Sequence, residues 1–224
     1  MRVRNIFNTL RHQKVLVTAG PTREHWDPVR FFSNASSGRM GIALANEAAR
    51  LGARVTLILG PTSGNVPRPA KAVRVIPVTG ALEMDRQVQN HLAGTRVFIG
   101  AAAVADYRPA AVSRQKIKAK PAAVSLKLVR NPDIIAKVAR DRHGRPALVI
   151  GFALETQDLM KNAAMKLKRK DLDWVLANRE TNLGTSEGSV TLLSRWYERI
   201  PLGPMPKERL ARHIWKAVLE RPAL

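Results

Sequence analysis

The chain of 224 residues contains no cysteine, which excludes disulfides, thiolate metal centres and a cysteine nucleophile and fits a reducing, cytoplasmic setting. Aromatic residues make up only 5% of it, too few for the base-stacking platforms that single-strand nucleic-acid binders use. No apolar run approaches the roughly 18–20 residues of a membrane span, so no membrane partner is expected. The first fourteen residues carry Arg2, Arg4, Arg11 and Lys14 without an apolar segment; they read as a basic extension, and no secretory signal is expected. The five histidines, His12, His25, His91, His143 and His213, show no metal-ligand spacing. Acidic residues are scarce, 17 against 38 Lys and Arg, which leaves a net charge of +21.

What is present is a core-forming composition with an uneven charge. At 45% hydrophobic residues, the chain can bury a real core, and its length suits one α/β domain over residues 1–224. Residues 108–170 hold 16 basic and 4 acidic side chains, a net +12 of the total. A nucleic-acid-binding protein would be basic in this way. A small polyanionic ligand such as a nucleoside triphosphate explains part of the same charge, and much of the rest is a solvated surface.

The apolar patterning alternates strands with helices. Val15 to Val17 open a buried strand, residues 40–53 an Ala-rich helix, and RVTLILG a second strand, together a parallel βαβ unit. Strands follow at residues 73–78, 97–105, 147–155 and 173–179, and helices at 81–94, 132–142, 159–170 and 206–220. Asn131 reads as the N-cap of the third helix with Pro132 at its first position. SVTLLSR and WYERIPL suggest a late hairpin. The pattern predicts a doubly wound, mostly parallel sheet, in which ligands bind beyond the strand carboxyl ends. Gly20, residues 100–106 and residues 151–155 should therefore gather at one edge.

Two segments break the pattern. The connection between the first strand and its helix is several times longer than the usual figure of about 2–6 residues. It is rich in Pro, Asn, Ser, Gly and Arg and ends in Ser36-Ser37-Gly38 where the helix opens, a natural place for an anion to meet free backbone N–H groups. Gly20, Thr22, Arg30, Ser36, Ser37 and Gly38 are its candidate phosphate and substrate residues. The second segment, residues 108–130, carries Lys-Ile-Lys-Ala-Lys from Lys116 to Lys120 and reads as a projecting arm or lid. Neither G-x-G-x-x-G nor a Walker A sequence is present. Asp106 at a strand end suits a ribose diol, or a plain turn. Lys166 and Lys170 share one helical face, with Leu159, Ala163 and Leu167 free to pack on another.

Taken in order, GPTRE, DPVR, SNASSGRMG, AAAVADYRP, KIKAK, NPDII, GFALET, a K-x-x-x-K pair and D-x-x-x-A-N closely resemble bacterial phosphopantothenoylcysteine synthetase, the phosphopantothenate–cysteine ligase of coenzyme A biosynthesis. The resemblance covers about three quarters of the chain and is loose after Asn182. It implies a Rossmann-like fold with the two segments as long inserted arms, and a CTP-dependent homodimer assisted by Mg²⁺ bound mainly through the triphosphate. 4′-Phosphopantothenate is activated as an acyl-cytidylate with release of pyrophosphate, and L-cysteine then displaces CMP. It further implies a CTP site from Gly100, Ala101, Ala102, Asp106, Pro132, Asp133, Ile134, Ile135, Phe152, Lys166 and Lys170. By the same resemblance Lys116 also belongs to the CTP site and meets the phosphate and the reacting carboxylate, Asn34 hydrogen-bonds the acyl intermediate, and these two are the catalytic residues. Two departures stand out. Ala119 replaces the last lysine of the family's arm, with Lys120 beside it, and no flavin-dependent decarboxylase sequence precedes Val15. No flavin is expected in this chain, and a separate decarboxylase is an expected partner. The alternative is a non-enzymatic, basic nucleic-acid-binding protein; specific nucleic-acid binding is not expected.

Overall fold

The computed structural model describes residues 10–62, 66–118, 125–182 and 184–220. One eight-stranded sheet organises them. Its strands are β1 (Lys14–Ala19), β4 (Arg54–Leu59), β5 (Arg74–Pro77), β6 (Val97–Gly100), β9 (Leu148–Glu155), β10 (Trp174–Arg179), β11 (Glu187–Ser194) and β12 (Arg199–Pro206). The spatial order is β12-β11-β10-β9-β6-β1-β4-β5. From β5 to β10 every pairing is parallel, and β11 and β12 add the antiparallel hairpin at the far edge. The chain starts in the middle, winds outward to one side and then to the other. The direction reverses between β1 and β6, the switch point where doubly wound sheets place their ligands.

The helices cover both faces because each strand buries alternate side chains on both. Val15 and Val17 of β1 face α1 (Arg39–Arg50) and α5 (Lys207–Leu219), whereas Leu16 faces α2 (Ala81–Leu92). The α2 layer also holds α3 (Ile134–Ala139) and α4 (Leu159–Arg169). Trp215 of α5 is buried and donates its indole N–H to Leu44 O of α1 at 3.0 Å, locking the two helices of one layer together. Ala163 of α4 is fully buried, with Leu159 and Leu167 packed beside it, while Lys166 and Lys170 lie on another face and are only partly exposed.

Both long insertions fold into two-stranded ribbons. The first pairs β2 (Arg23–His25) with β3 (Phe31–Ser33), and the second pairs β7 (Tyr107–Pro109) with β8 (Leu128–Arg130), all antiparallel. Ala119 and Lys120 of the lysine arm lie outside the described residues.

Two local expectations are corrected. The strand read over residues 97–105 ends at Gly100, since the chain then leaves the sheet to bridge Pro21 through Ala103. The third helix begins later than the Asn131–Pro132 signal implied. Asp133 is its N-cap, accepting from Ala136 N at 3.3 Å. Asn131 instead donates its side-chain amide to Ala105 O at 2.8 Å, tying the two loops above the sheet. A nonlocal carbonyl outcompeted the local helix end for that side chain.

Candidate active site

Close backbone approach shapes the strand ends. Gly20 follows β1 with φ 78°, and a Cβ there would lie 2.8 Å from Gly60 O. Within α1, a Cβ on Gly41 would lie 2.4 Å from the Ala19 Cβ. The helix can rest on the central strand only because that side chain is missing. On the other face, Gly100 and Gly151 are paired neighbours of β6 and β9. The Ile135 side chain sits over both, its Cδ1 within 2.8 Å of where either Cβ would be.

Two cavities open above this edge. The larger, about 490 Å³, lies between β6, β9 and α3. Every residue that the resemblance assigned to CTP lines it except Ala101 and Lys116: Gly100, Ala102 and Asp106 after β6, Pro132 to Ile135 at α3, Phe152 of β9, and Lys166 and Lys170. The second, about 300 Å³, has Ser36, Ser37 and Gly38 at the N-terminus of α1, and Ala101 also lines it. Its far wall comes from Asn178, Asn182, residues 188–190 and Lys207. Ala102, Val104, Asp106, Phe152 and Lys166 line both cavities. Ligands in the two would meet across that shared wall.

The wall is electrically prepared for anions. Burial holds the Lys166 ammonium below its ordinary value, and the nearby Lys170 adds to that, against Glu155, Asp133 and Asp106. Lys170 pairs with Asp133 at 2.9 Å. An anion close to a partly desolvated lysine favours its charged form, and a phosphate in either cavity would provide one. Among the described residues, no group of three or more His, Cys, Asp or Glu gathers to hold a metal. The carboxylates that line the larger cavity, Asp106 and Asp133, suit a Mg²⁺ held chiefly by substrate phosphates, which asks for only one or two protein carboxylates.

The other residues singled out from sequence sit elsewhere. Thr22 is fully buried; its hydroxyl accepts from Ala105 N at 3.0 Å, and its carbonyl accepts from the Ser33 hydroxyl at 2.9 Å. Gly20 shapes the turn beside Gly38 rather than lining either cavity. Arg30 donates to Ile117 O at 2.9 Å, joining the two arms. Asn34 donates its amide to Ala103 O at 3.0 Å, on a loop that lines the second cavity. Lys116 is exposed on the second arm, outside both cavities.

Sequence reasoning missed Asp27 and Lys207. Asp27 is fully buried and accepts from Val29 N and Arg30 N, both at 2.8 Å, and from Ile117 N at 3.3 Å. Burial works against its charge, but those three N–H groups and the Arg30 guanidinium outweigh it and lower its pKa. The DPVR motif was its only signal. Lys207 had none: it starts an ordinary amphipathic helix in the loosely matching part of the chain.

A mostly parallel sheet with paired cavities at its switch point defines a Rossmann-like class of fold. Residues 10–221 match the family model described as DNA/pantothenate metabolism flavoprotein C-terminal domain, and the chain belongs to that family. The coenzyme A biosynthesis bifunctional protein CoaBC of Escherichia coli (strain K12) is 43% identical over 91% of this chain and 50% of its own length. CoaBC of Vibrio cholerae is 49% identical over 74% of this chain and 41% of its own. The chain thus spans about half the length of these relatives. A solved crystal structure of the C-terminal domain of CoaBC is 37% identical, with a TM-score of 0.79, over 95% of this chain and 97% of that one. No described helix is long and apolar enough to cross a membrane.

Proposed function

We propose that this chain is the ligase that joins 4′-phosphopantothenate to L-cysteine at the expense of CTP in coenzyme A biosynthesis. The observation that carries this reading is the pair of cavities with a common wall. One offers a carboxylate, apolar side chains and two lysines to a nucleotide, and the other offers a helix N-terminus to a second anion. The likeness to the C-terminal domain of CoaBC supports the same pathway.

On this reading Phe152 and Ile135 contact the base and Asp106 the ribose, while Lys166 and Lys170 face the triphosphate. The acid lies in the second cavity with its carboxylate at the shared wall. A carboxylate oxygen attacks the α-phosphorus, the bond to the bridging oxygen breaks, and pyrophosphate leaves. The cysteine amine then attacks the acyl carbon and CMP departs with the bonding pair. Lysines stabilise the charge gathered in the first step. Lys116 reaches in from the arm for that step, and Asn34 orients the acyl group for the second. Mg²⁺, when bound, neutralises part of the triphosphate charge.

The reading extends to a homodimer and to a partner decarboxylase. The exposed Val29, Phe31 and Phe32 on the first arm favour contact with a second copy. Mixing the protein with Mg²⁺, CTP and 4′-phosphopantothenate tests the central claim: pyrophosphate should appear only when both substrates are present. No release with CTP or ATP, together with tight, salt-sensitive DNA binding, would favour the nucleic-acid alternative instead.

A further inference from the structure

The second arm is held from one side. Among the described residues, every hydrogen bond that ties residues 111–118 to another part of the fold ends on residues 26–30. Ser113 N donates to Trp26 O at 2.8 Å. Ile117 is gripped at both of its backbone groups: its N–H donates to the Asp27 carboxylate at 3.3 Å, and its carbonyl accepts from Arg30 Nη2 at 2.9 Å. Lys116, the residue before it, is exposed and makes no hydrogen bond among the described residues. Its backbone is therefore anchored through its neighbour while its side chain stays free.

Asp27 divides its two oxygens between two tasks. Oδ1 accepts from Val29 N and Arg30 N, both at 2.8 Å, and closes a turn within the first arm. Oδ2 accepts from Ile117 N and faces the Arg30 guanidinium, with Nη1 at 3.7 Å. The turn alone could be closed by Asn or Ser, and a carboxylate is costly to bury. Asp27 is nevertheless fully buried, and only the contacts of its second oxygen call for a carboxylate. An asparagine would keep Oδ1 for the turn but would point an N–H donor at the two donors that Oδ2 now meets. The charge serves the link between the arms.

We infer that Asp27 is a positioning residue for the first half-reaction: acting through Ile117, it holds Lys116 where the ammonium can reach the reacting carboxylate and phosphate. This deepens the ligase reading and rests on it, since that reading assigns Lys116 to the step. Lys116 stands outside both cavities, so its stem must cross toward the shared wall from an anchored start. With the arm loose, the ammonium would spread over many positions, and that freedom would have to be lost at each turnover. The binding of either ligand alone does not need the anchor, because the cavity walls are built without residues 111–118. Loss of Asp27 should therefore strike the rate of the step and spare affinity.

Single-turnover pyrophosphate release by the full chain, with Mg²⁺, CTP and 4′-phosphopantothenate all saturating, reads the step, and calorimetry with each ligand alone reads binding. Asp27→Asn should slow release by roughly 10–100-fold, the size of effect that a misplacement of about 1 Å can produce, with both affinities nearly unchanged. Asp27→Ser, whose hydroxyl can close the turn but cannot span to Ile117, should behave alike; it serves where the donor clash of the amide unfolds the arm. Combining Asp27→Asn with Lys116→Gln separates positioning from general support. If Asp27 works through Lys116, the double variant should be barely slower than Lys116→Gln alone. Losses that multiply would overturn the proposal. So would release at the ordinary rate in Asp27→Asn, or affinities that fall as far as the rate. If the unaltered protein binds both ligands yet releases no pyrophosphate, the ligase reading fails and this role falls with it.

Discussion

Gly41→Ala adds one methyl group where the helix and the central strand touch. The new Cβ would lie 2.4 Å from the Ala19 Cβ, 3.2 Å from the Ala19 Cα and 3.3 Å from the Ala101 Cβ. Ordinary carbon contacts begin near 3.5 Å, so the helix must retreat by about 1 Å. None of these atoms can rotate away: two belong to a fully buried position of β1 and the third to the loop after β6. Overpacking of this kind costs about 1–3 kcal/mol, and alanine in place of a helical glycine returns up to ~1 kcal/mol. With no soft neighbour to absorb the strain, the net loss should be near 2 kcal/mol, a fall in Tm of about 4–8 °C for a chain of this size. The same retreat displaces Gly38 and the free N–H groups of α1 from the second cavity. A misplacement of about 1 Å can cost ~100-fold in turnover. Differential scanning calorimetry beside a pyrophosphate-release assay reads both effects. Ala19→Gly removes the nearest atom, so the double variant should recover at least half of the lost stability, a coupling of about 1 kcal/mol or more. If Gly41→Ala melts and turns over like the unaltered protein, α1 does not rest on β1 as described.

Three further outcomes follow from the site. Asn34→Asp should still release pyrophosphate and accumulate acyl-cytidylate while making little amide. Lys116→Gln should suppress both steps, by roughly 100–1000-fold if it resembles loss of another preorganised electrostatic contact; equal failure of the two variants in a single-turnover assay would refute their separate roles. Because Lys166 is held below the ordinary lysine value, its charge is complete at low pH and is lost as pH rises through that lowered value. CTP affinity should therefore decline on the alkaline side before an ordinary lysine titrates, and Lys166→Arg should move that limb upward; an unmoved limb assigns it to another group. Asp27 has the opposite sign: its lowered carboxyl contributes stability above the ordinary value, lost as pH falls through the folded one. Asp27→Asn should flatten the acid side of the stability profile and speed proteolysis within residues 107–118, which quantitative mass spectrometry of the digest would check.

The sheet was legible because a parallel strand buried on both faces writes a continuous apolar run, as in VLVTA and ALVIGFALE. The amphipathic helices wrote theirs with equal clarity. The arms were not legible as ribbons, since three-residue strands carry no periodicity and Asp27 sets their arrangement across ninety residues of sequence. Asn131 was misread because its local helix signal lost to a carbonyl that only the fold brings near. That the motif residues gather around the larger cavity was foreshadowed by their order, since they follow strand ends along the chain. The far side of the second cavity was hidden. Lys207 reaches it from the last helix, and nothing in PKERLARHIWKAVL distinguishes a buried lysine from a solvated one.

The common wall also decides how far the two ligand preferences can be altered separately. Ala102, Val104, Asp106, Phe152 and Lys166 belong to both cavities, so a substitution there that retunes one ligand also disturbs the other. Pro132, Ile134 and Ile135 face the larger cavity alone, and Asn178, Ser189 and Leu210 the smaller alone. On the proposed ligase reading, nucleotide choice and acid choice are thus adjustable from opposite ends of the edge. Laboratory selection for a new nucleotide should collect its first changes around α3, with the acid preference carried along intact.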